Sequence, residues 1–505
     1  MSIASGRTGE LMKAAVNHTD YVLKRAVDRT GKTPLFVNAL DADGGEPVRH
    51  DYDHVDQTAM LSSPASQQNW LRTLAALTAL TGQSGYREAA EDVCRYMLKE
   101  QTDRNGLIYW GGHTSYDLEE QRLAFASDKA HVHELKCHYP DYDLMWSADH
   151  TGTKRYIEAV WNAHIMDWTN LDFNRHGSYD APRGALWANG YEGGDVFFWG
   201  SGLTFVNAGS DLYYGASMLA KLTGEAAPLD WAMRLAERYV LTRRSGVGIS
   251  GYQFSQSASA WCDGPAVRGD RAQYQLAPLI PEGRPVYEST LFKPRPAVQR
   301  CQLAIGEALG EGGGQFRQWA CEEMAAWGRT AYRSADNSFV PMLTDGWSLE
   351  GVTLDRKGYF GRKGTVFKAI PAAADFFWMY AMGYRLSRDP FLWTMAMNIA
   401  SGLGFEDIGE PDGGRPEERM PRSCPKTADH RIIFGMLELH KATGRDAFIG
   451  IAIQAANQLL ASRYRKGRFE TGGKVLINDP APLALLHLVS AETNAGPCLP
   501  SVFQT

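Results

Sequence analysis

The sequence predicts a mostly α fold: an α/α toroid, or barrel, of repeated helical hairpins with long loops and minor β ribbons. Three observations carry the prediction. Apolar residues recur at threes and fours along much of the chain, which is the helical period. A unit of helix, Thr-Gly, short turn, aromatic residue and second helix returns several times. The segments between these units are long and rich in Gly, Pro and aromatics, as loops gathered around one mouth of a ring would be.

Trp70, Leu71, Leu74, Leu77 and Leu80 make the first apolar face, and Thr81-Gly82 stops that helix because Gly is free to take a left-handed cap. Tyr86, Ala89, Ala90, Val93 and Met97 begin the return helix. The same grammar sets Thr151-Gly152 before Tyr156, Val160, His164 and Trp168, and Thr223-Gly224 before Trp231 and Leu235. Further on, Ser387-Arg388-Asp389-Pro390 precedes Trp393, and Thr443-Gly444 precedes Phe448, Ile451 and Ala455. Copies lie roughly 55–75 residues apart with one gap about twice that, the scale of stacked units sharing a core. The long loops are 101–130, 174–200, 242–296 and 405–430. Short β ribbons are expected near 246–255 and 284–293. The chain reads as a single domain over 1–505, with 242–296 as a small loop and β lobe.

Of the 505 residues, 44% are hydrophobic and 22% charged, so disorder is not the chain's main character. A net charge of −6 without any block of like charges lacks the basic face that nucleic acid or an anionic membrane requires. The run Phe376–Met382 is far short of the ~20 apolar residues of a membrane span. No apolar leader follows Met1, which places the protein in the cytoplasm as an expectation. Seven cysteines without a CxxC pair read as reduced thiols. The sequence is silent on oligomeric state.

The chemistry concentrates in 107–177. Seven of the 13 histidines fall there: His113, His131, His133, His138, His150, His164 and His176. Carboxylates are interleaved, and two or three His with one Glu is a donor set for a divalent transition metal. The spacings match no compact metal signature, so ordinary core and surface histidines are the competing reading. His164 lies on an apolar helix face as a core or cleft-lining residue. His150 sits at a helix end, where His commonly serves the dipole. His138 reads as a turn residue. His131 and His133 share one face if the run is extended. Gly111-Gly112 lets the backbone turn tightly and present His113. Glu134 is equally able to begin a helix or to bind a metal.

Five strings stand in order here: Trp110-Gly-Gly-His113, His133-Glu-Leu-Lys136, Tyr139-Pro-Asp-Tyr-Asp-Leu-Met145, Trp161-Asn-Ala-His-Ile-Met-Asp-Trp168 and Arg175-His-Gly177. Together they resemble the family 2 polysaccharide lyases, pectate and oligogalacturonate lyases with an α/α barrel. The resemblance implies that His113, Glu134 and His176 bind a divalent metal, most often Mn2+ or a similar transition ion, and that Arg175 is the base. It implies β-elimination on α-1,4-linked galacturonate. The C5 proton leaves, the C4 oxygen departs, and a metal-bound carboxylate stabilises the enolate-like transition state. A guanidinium normally keeps its proton, so a basic arginine needs cationic neighbours that disfavour its charge. A carboxylate-binding or structural arginine is the competing reading for Arg175.

Basic residues in loops are candidates to hold substrate carboxylates: Arg183, Lys293, Arg295, Arg362, Lys363 and Lys368, with Lys293 and the pair Arg362-Lys363 preferred. Trp110, Trp187, Trp199 and Trp347 are candidate stacking platforms. The expected substrate is a short uronate oligosaccharide cut from one end. Three alternatives stay open. One is a lyase for another uronate. A second is a sugar epimerase using His164 and His176, or a glycoside hydrolase drawing on Asp141, Asp143 and Asp167. The third is a non-catalytic helical scaffold.

Overall fold

The computed structural model describes residues 7–51, 58–125, 132–257, 275–281, 294–405, 428–493 and 499–505. Among them, fourteen helices form seven packed pairs. Helix α1 (Arg7–Arg25) pairs with the last helix, which closes the chain on itself. Then α2 (Gln68–Thr81) packs on α3 (Ser84–Glu100), α4 (Tyr142–Ala148) on α5 (His150–His164), and α6 (Val206–Thr223) on α7 (Ala226–Val240). The series continues with α8 (Pro296–Leu309) on α9 (Gly314–Thr330), α10 (Ala374–Ser387) on α11 (Pro390–Gly402), and α12 (His430–Thr443) on α13 (Asp446–Arg463). Helix α14 (Ala481–Glu492) is the partner of α1.

The even-numbered helices form an inner ring. Each packs on the next from α4 round to α14, and α14 packs on α2. The last junction is made by side chains: Asp141 N donates to Gln68 Oε1 at 2.9 Å, and Arg72 donates to Tyr139 O at 2.7 Å. Inner helices such as α6 and α10 are buried on nearly every side, whereas α7 buries one stripe that includes Trp231, Leu235 and Tyr239. That division is what a two-layered ring demands. One continuous apolar core results, anchored by the fully buried Trp70, Trp161, Trp231 and Trp378. A small separate core of Leu276, Ile280, Leu343, Leu349 and Leu354 lies apart from it.

The helix stops follow the backbone chemistry of glycine. Gly82, Gly224 and Gly444 take φ of 75°, 76° and 69° and close their helices with a 5→1 hydrogen bond. Arg388 takes the same left-handed role at φ 61°, while Asp389 caps Phe391 N and Pro390 opens α11. Thr151-Gly152 is different. It lies inside the first turn of α5, because Asp149 accepts from Gly152 N at 2.9 Å and starts a helix where a stop was expected. His150 is therefore the first residue of a helix, at its positive end, and stacks on Trp146 at 4.8 Å.

Outer-to-inner connections are the long ones, and inner-to-outer connections are short turns, so the long loops share one end of the ring. At 246–254 the chain is irregular rather than a ribbon. Gly246 and Gly248 turn it with φ of 85° and 81°, and the strand begins at Ser255–Ser257, paired in parallel with Phe198–Gly200. The expected ribbon at 284–293 lies outside the described residues. No helix among the described residues is long and apolar enough to cross a membrane.

Candidate metal centre

Two short strands at the long-loop end carry the site. Val132–Glu134 and His176–Ser178 pair antiparallel, with His176 opposite Glu134 and Gly177 opposite His133. Residues paired in this way place their side chains on the same face. The 111–113 turn crosses that face. Gly111 has φ 119°, and a Cβ on it would lie 2.8 Å from Glu134 O; a Cβ on Gly112 would lie 1.5 Å from Glu134 Oε2. Only glycines bring the backbone this close to the carboxylate, and the turn then delivers His113.

One donor atom each of His113, Glu134 and His176 lies within 4.8 Å of the others. His113 Nε2 is 3.5 Å and His176 Nε2 3.6 Å from Glu134 Oε1. Arg175 Nη2 stands 3.2 Å from the same oxygen, and Arg175 Nε donates to His176 Nε2 at 3.3 Å. Glu134 is 2% exposed, and its Oε2 is buried without a hydrogen-bond partner. Burial pushes the Glu134 carboxyl up. The His176 hydrogen bond and the charges of Arg175, His113 and Lys136 outweigh this and hold it down at about 2. Two imidazoles, one ionised buried carboxylate and an unpartnered oxygen fit a divalent transition ion.

Beneath the ribbon a buried relay holds the register. His164 Nδ1–H donates to Asn174 O at 2.8 Å, so His164 Nε2 accepts from His133 Nδ1, also at 2.8 Å. Asn174 Oδ1 in turn accepts His176 N at 3.0 Å. Burial lowers His164 to about 4 against the pull of the Asn174 carbonyl. It lowers His133 further, helped by His164 and His138. A Cβ at Gly177 would lie 2.6 Å from His164 Nε2, which accounts for the glycine after His176. His164 is thus enclosed and tied on both ring nitrogens.

Asp211 holds the following loop. It accepts Cys137 N at 2.7 Å and Tyr139 N at 3.3 Å, where Cys137 and Tyr139 take positive φ of 56° and 43°. Burial pushes Asp211 up to about 7, against the backbone N–H groups of 136–139. Sequence reasoning missed this residue, although a carboxylate in the apolar run of α6 is the signal that marks it. It also missed Phe205 and Tyr252, which stack at 4.9 Å beside Arg175.

The structure brings together His113, Glu134, His176 and Arg175. Arg362 and Lys363 are exposed on the 340–367 segment. Lys293 and His131 lie outside the described residues. Arg183 is exposed and pairs with Glu158. Trp110 is buried and donates to Tyr156 Oη at 2.8 Å. Trp187 packs on Trp161 and Trp168, while Trp199 is 44% exposed. The three aspartates considered for hydrolysis have local partners. Asp141 caps α4, Asp143 pairs with Lys221, and Asp167 closes a turn with Thr169.

A closed ring of helical hairpins with a His–Glu–His cluster and an adjoining arginine at its long-loop end defines an α/α-barrel enzyme with a candidate transition-metal centre. The periplasmic pectate lyase family model matches residues 33–505. A pectate disaccharide-lyase of Dickeya dadantii (strain 3937) is 30% identical over 520 residues, covering 97% of this chain and 91% of its own. The chain belongs to this pectate lyase family and is a lyase. Among solved structures, cellobiose 2-epimerase from Bacillus thermoamylovorans B4167 is similar at 9% identity and TM-score 0.45, covering 95% of this chain and 98% of its own. A D-mannose isomerase is similar at 12% identity and TM-score 0.44, covering 79% and 86%. Likeness at that level bears on neither activity nor substrate.

Proposed function

We propose that this chain cleaves α-1,4-linked galacturonate oligomers by metal-dependent β-elimination, working from one chain end on short fragments. The observation that carries the reading is the convergence of His113, Glu134 and His176 within 4.8 Å, with Arg175 3.2 Å from the shared carboxylate oxygen. End-on release of disaccharides is supported by the similarity to the Dickeya pectate disaccharide-lyase.

His113, Glu134 and His176 would hold a divalent transition ion, Mn2+ first among candidates. When bound, such an ion supplies Lewis acidity to a uronate carboxylate, which lowers the cost of the enolate-like charge next to it. Arg175 takes the proton from C5. The electron pair left behind forms the C4=C5 double bond, the C4–O bond breaks, and the leaving oxygen regains a proton from solvent. A guanidinium serves as base only where positive neighbours or poor hydration disfavour its charge. Arg175 lies between the ligand cluster and the face of Phe205, 6.0 Å from the ring centroid, and a divalent ion held by Glu134 would supply the positive neighbour that offsets the carboxylate 3.2 Å from Arg175 Nη2. The relay of His133, His164 and Asn174 fixes the strand from which Arg175 and His176 project, which limits reorganisation during the reaction.

The test is product analysis on a panel of uronate oligosaccharides. Galacturonate oligomers should yield an unsaturated disaccharide from the earliest time points. A mixture of all lengths would refute end-on action. Products without the double bond would refute elimination, and turnover of another uronate alone would replace the substrate.

A further inference from the structure

Arg295 immediately precedes α8, and its guanidinium lies 4.3 Å from the ring centroid of Tyr252. Tyr252 is buried, stacks on Phe205 with ring planes 21° apart, and ties its hydroxyl to Asn207 Oδ1. Phe205 is also the ring beside the Arg175 guanidinium. Two arginines are therefore joined through one rigid aromatic stack, and Arg175 belongs to the reacting end of it.

Among the described residues nothing balances the charge on Arg295. Its Nε and Nη2 are buried and have no acceptor, and no carboxylate among the described residues pairs with it. The other arginines of this region are paired. Arg300, on the same helix, meets Asp375 at 2.7 Å, and Arg243 meets Glu322 at 3.0 Å and Glu323 at 3.3 Å. A cation stripped of water without a counter-ion is unfavourable, and a ligand anion relieves it. A guanidinium fork also matches a carboxylate in two parallel hydrogen bonds.

We propose that Arg295 is a receptor for a second substrate carboxylate, on a sugar neighbouring the one at the metal centre. The proposal rests on the uronate reading above. It makes Arg295 a specificity-determining residue: every sugar of a uronate chain carries a carboxylate, whereas a neutral sugar at this position offers nothing to the fork.

The test compares wild type with Arg295→Gln and Arg295→Lys by two readouts. Binding of trigalacturonate is measured by calorimetry in chelator, and steady-state elimination is measured on oligomers of increasing length with Mn2+. Arg295→Gln should weaken binding and raise KM about tenfold to a hundredfold, with kcat within threefold. Arg295→Lys should recover part of the loss, because it keeps the charge and loses the fork. A folded Arg295→Gln with binding and KM within twofold of wild type would overturn the proposal. A fall in kcat at unchanged KM would also overturn it, since that places Arg295 behind Arg175 as a structural support. If Arg295→Gln does not fold, Arg295→Lys decides by the same criteria. Wild type that binds trigalacturonate without eliminating would end the lyase reading and leave Arg295 judged on binding. Wild type that binds no uronate would end both.

Discussion

Replacing Gly112 with alanine strikes the site at its tightest point. The Gly112 backbone is not left-handed, so alanine is admissible there on its own account. The difficulty is the neighbour: the new Cβ would stand 1.5 Å from Glu134 Oε2 and 2.7 Å from Glu134 Cδ. Ordinary contact needs about 3 Å or more, so the carboxylate or the 111–113 turn must shift by roughly 1.5 Å. Metal coordination tolerates only about 0.2 Å. Whichever side moves, Glu134 or His113 leaves the donor set. Disturbing a supporting group alone costs about 10- to 100-fold in metal affinity, so displacement of a ligand should cost at least the upper figure. The fold should survive, because the carboxylate sits at the end of a rotatable side chain; overpacking of this kind costs about 1–3 kcal/mol. Calorimetric titration of Mn2+ beside circular-dichroism melting separates the two effects. A folded Gly112→Ala that binds Mn2+ within threefold of wild type would refute the assignment of Glu134 and His113 as ligands.

Arg175→Lys should lower turnover by about 100-fold or more while bound metal is unchanged, the range for loss of a positioned base; wild-type turnover would remove that role. His164→Phe keeps a ring in place but deletes the hydrogen bonds to Asn174 O and His133, so Mn2+ affinity should fall about 10- to 100-fold. Unchanged affinity in calorimetry would make the relay irrelevant to the metal centre. Asp211 is raised to about 7 in the folded protein, against about 3.9 unfolded. The folded state therefore holds an extra proton on this group between those values, and the Asp211 contribution to stability should fall as pH rises from about 4 to 7, by up to ~1.4 kcal/mol per pH unit, then level off. Denaturation of Asp211→Asn across this window should lack that slope, and parallel profiles for the two proteins would contradict it.

What the sequence disclosed is local. Thr81-Gly82, Thr223-Gly224 and Thr443-Gly444 are legible because a left-handed glycine ends a helix by its own conformational freedom. Thr151-Gly152 misled because the capping carboxylate of Asp149, two residues before the pair, decides the matter. The short helix α4 shows no periodic face of its own, since seven residues are too few, yet this helix completes the ring. His113, Glu134 and His176 are recognisable by type and by their motifs. Their convergence is not, because it depends on the pairing of His176 with Glu134 across a ribbon that no local pattern encodes. The same holds for Arg295, whose meaning comes from a tyrosine on another loop. Arg362 and Lys363 have the right chemistry in the sequence and stand exposed in the structure.

Metal-assisted elimination at one site has a direct optical signature. The most direct measurement is ultraviolet absorbance of galacturonate oligomers mixed with chelator-treated protein, before and after Mn2+ is added. Absorbance should stay flat before Mn2+ and rise steadily after it, from a double bond conjugated with the carboxylate. An equal rise in both conditions would contradict the metal's role, and no rise in either would contradict the reaction.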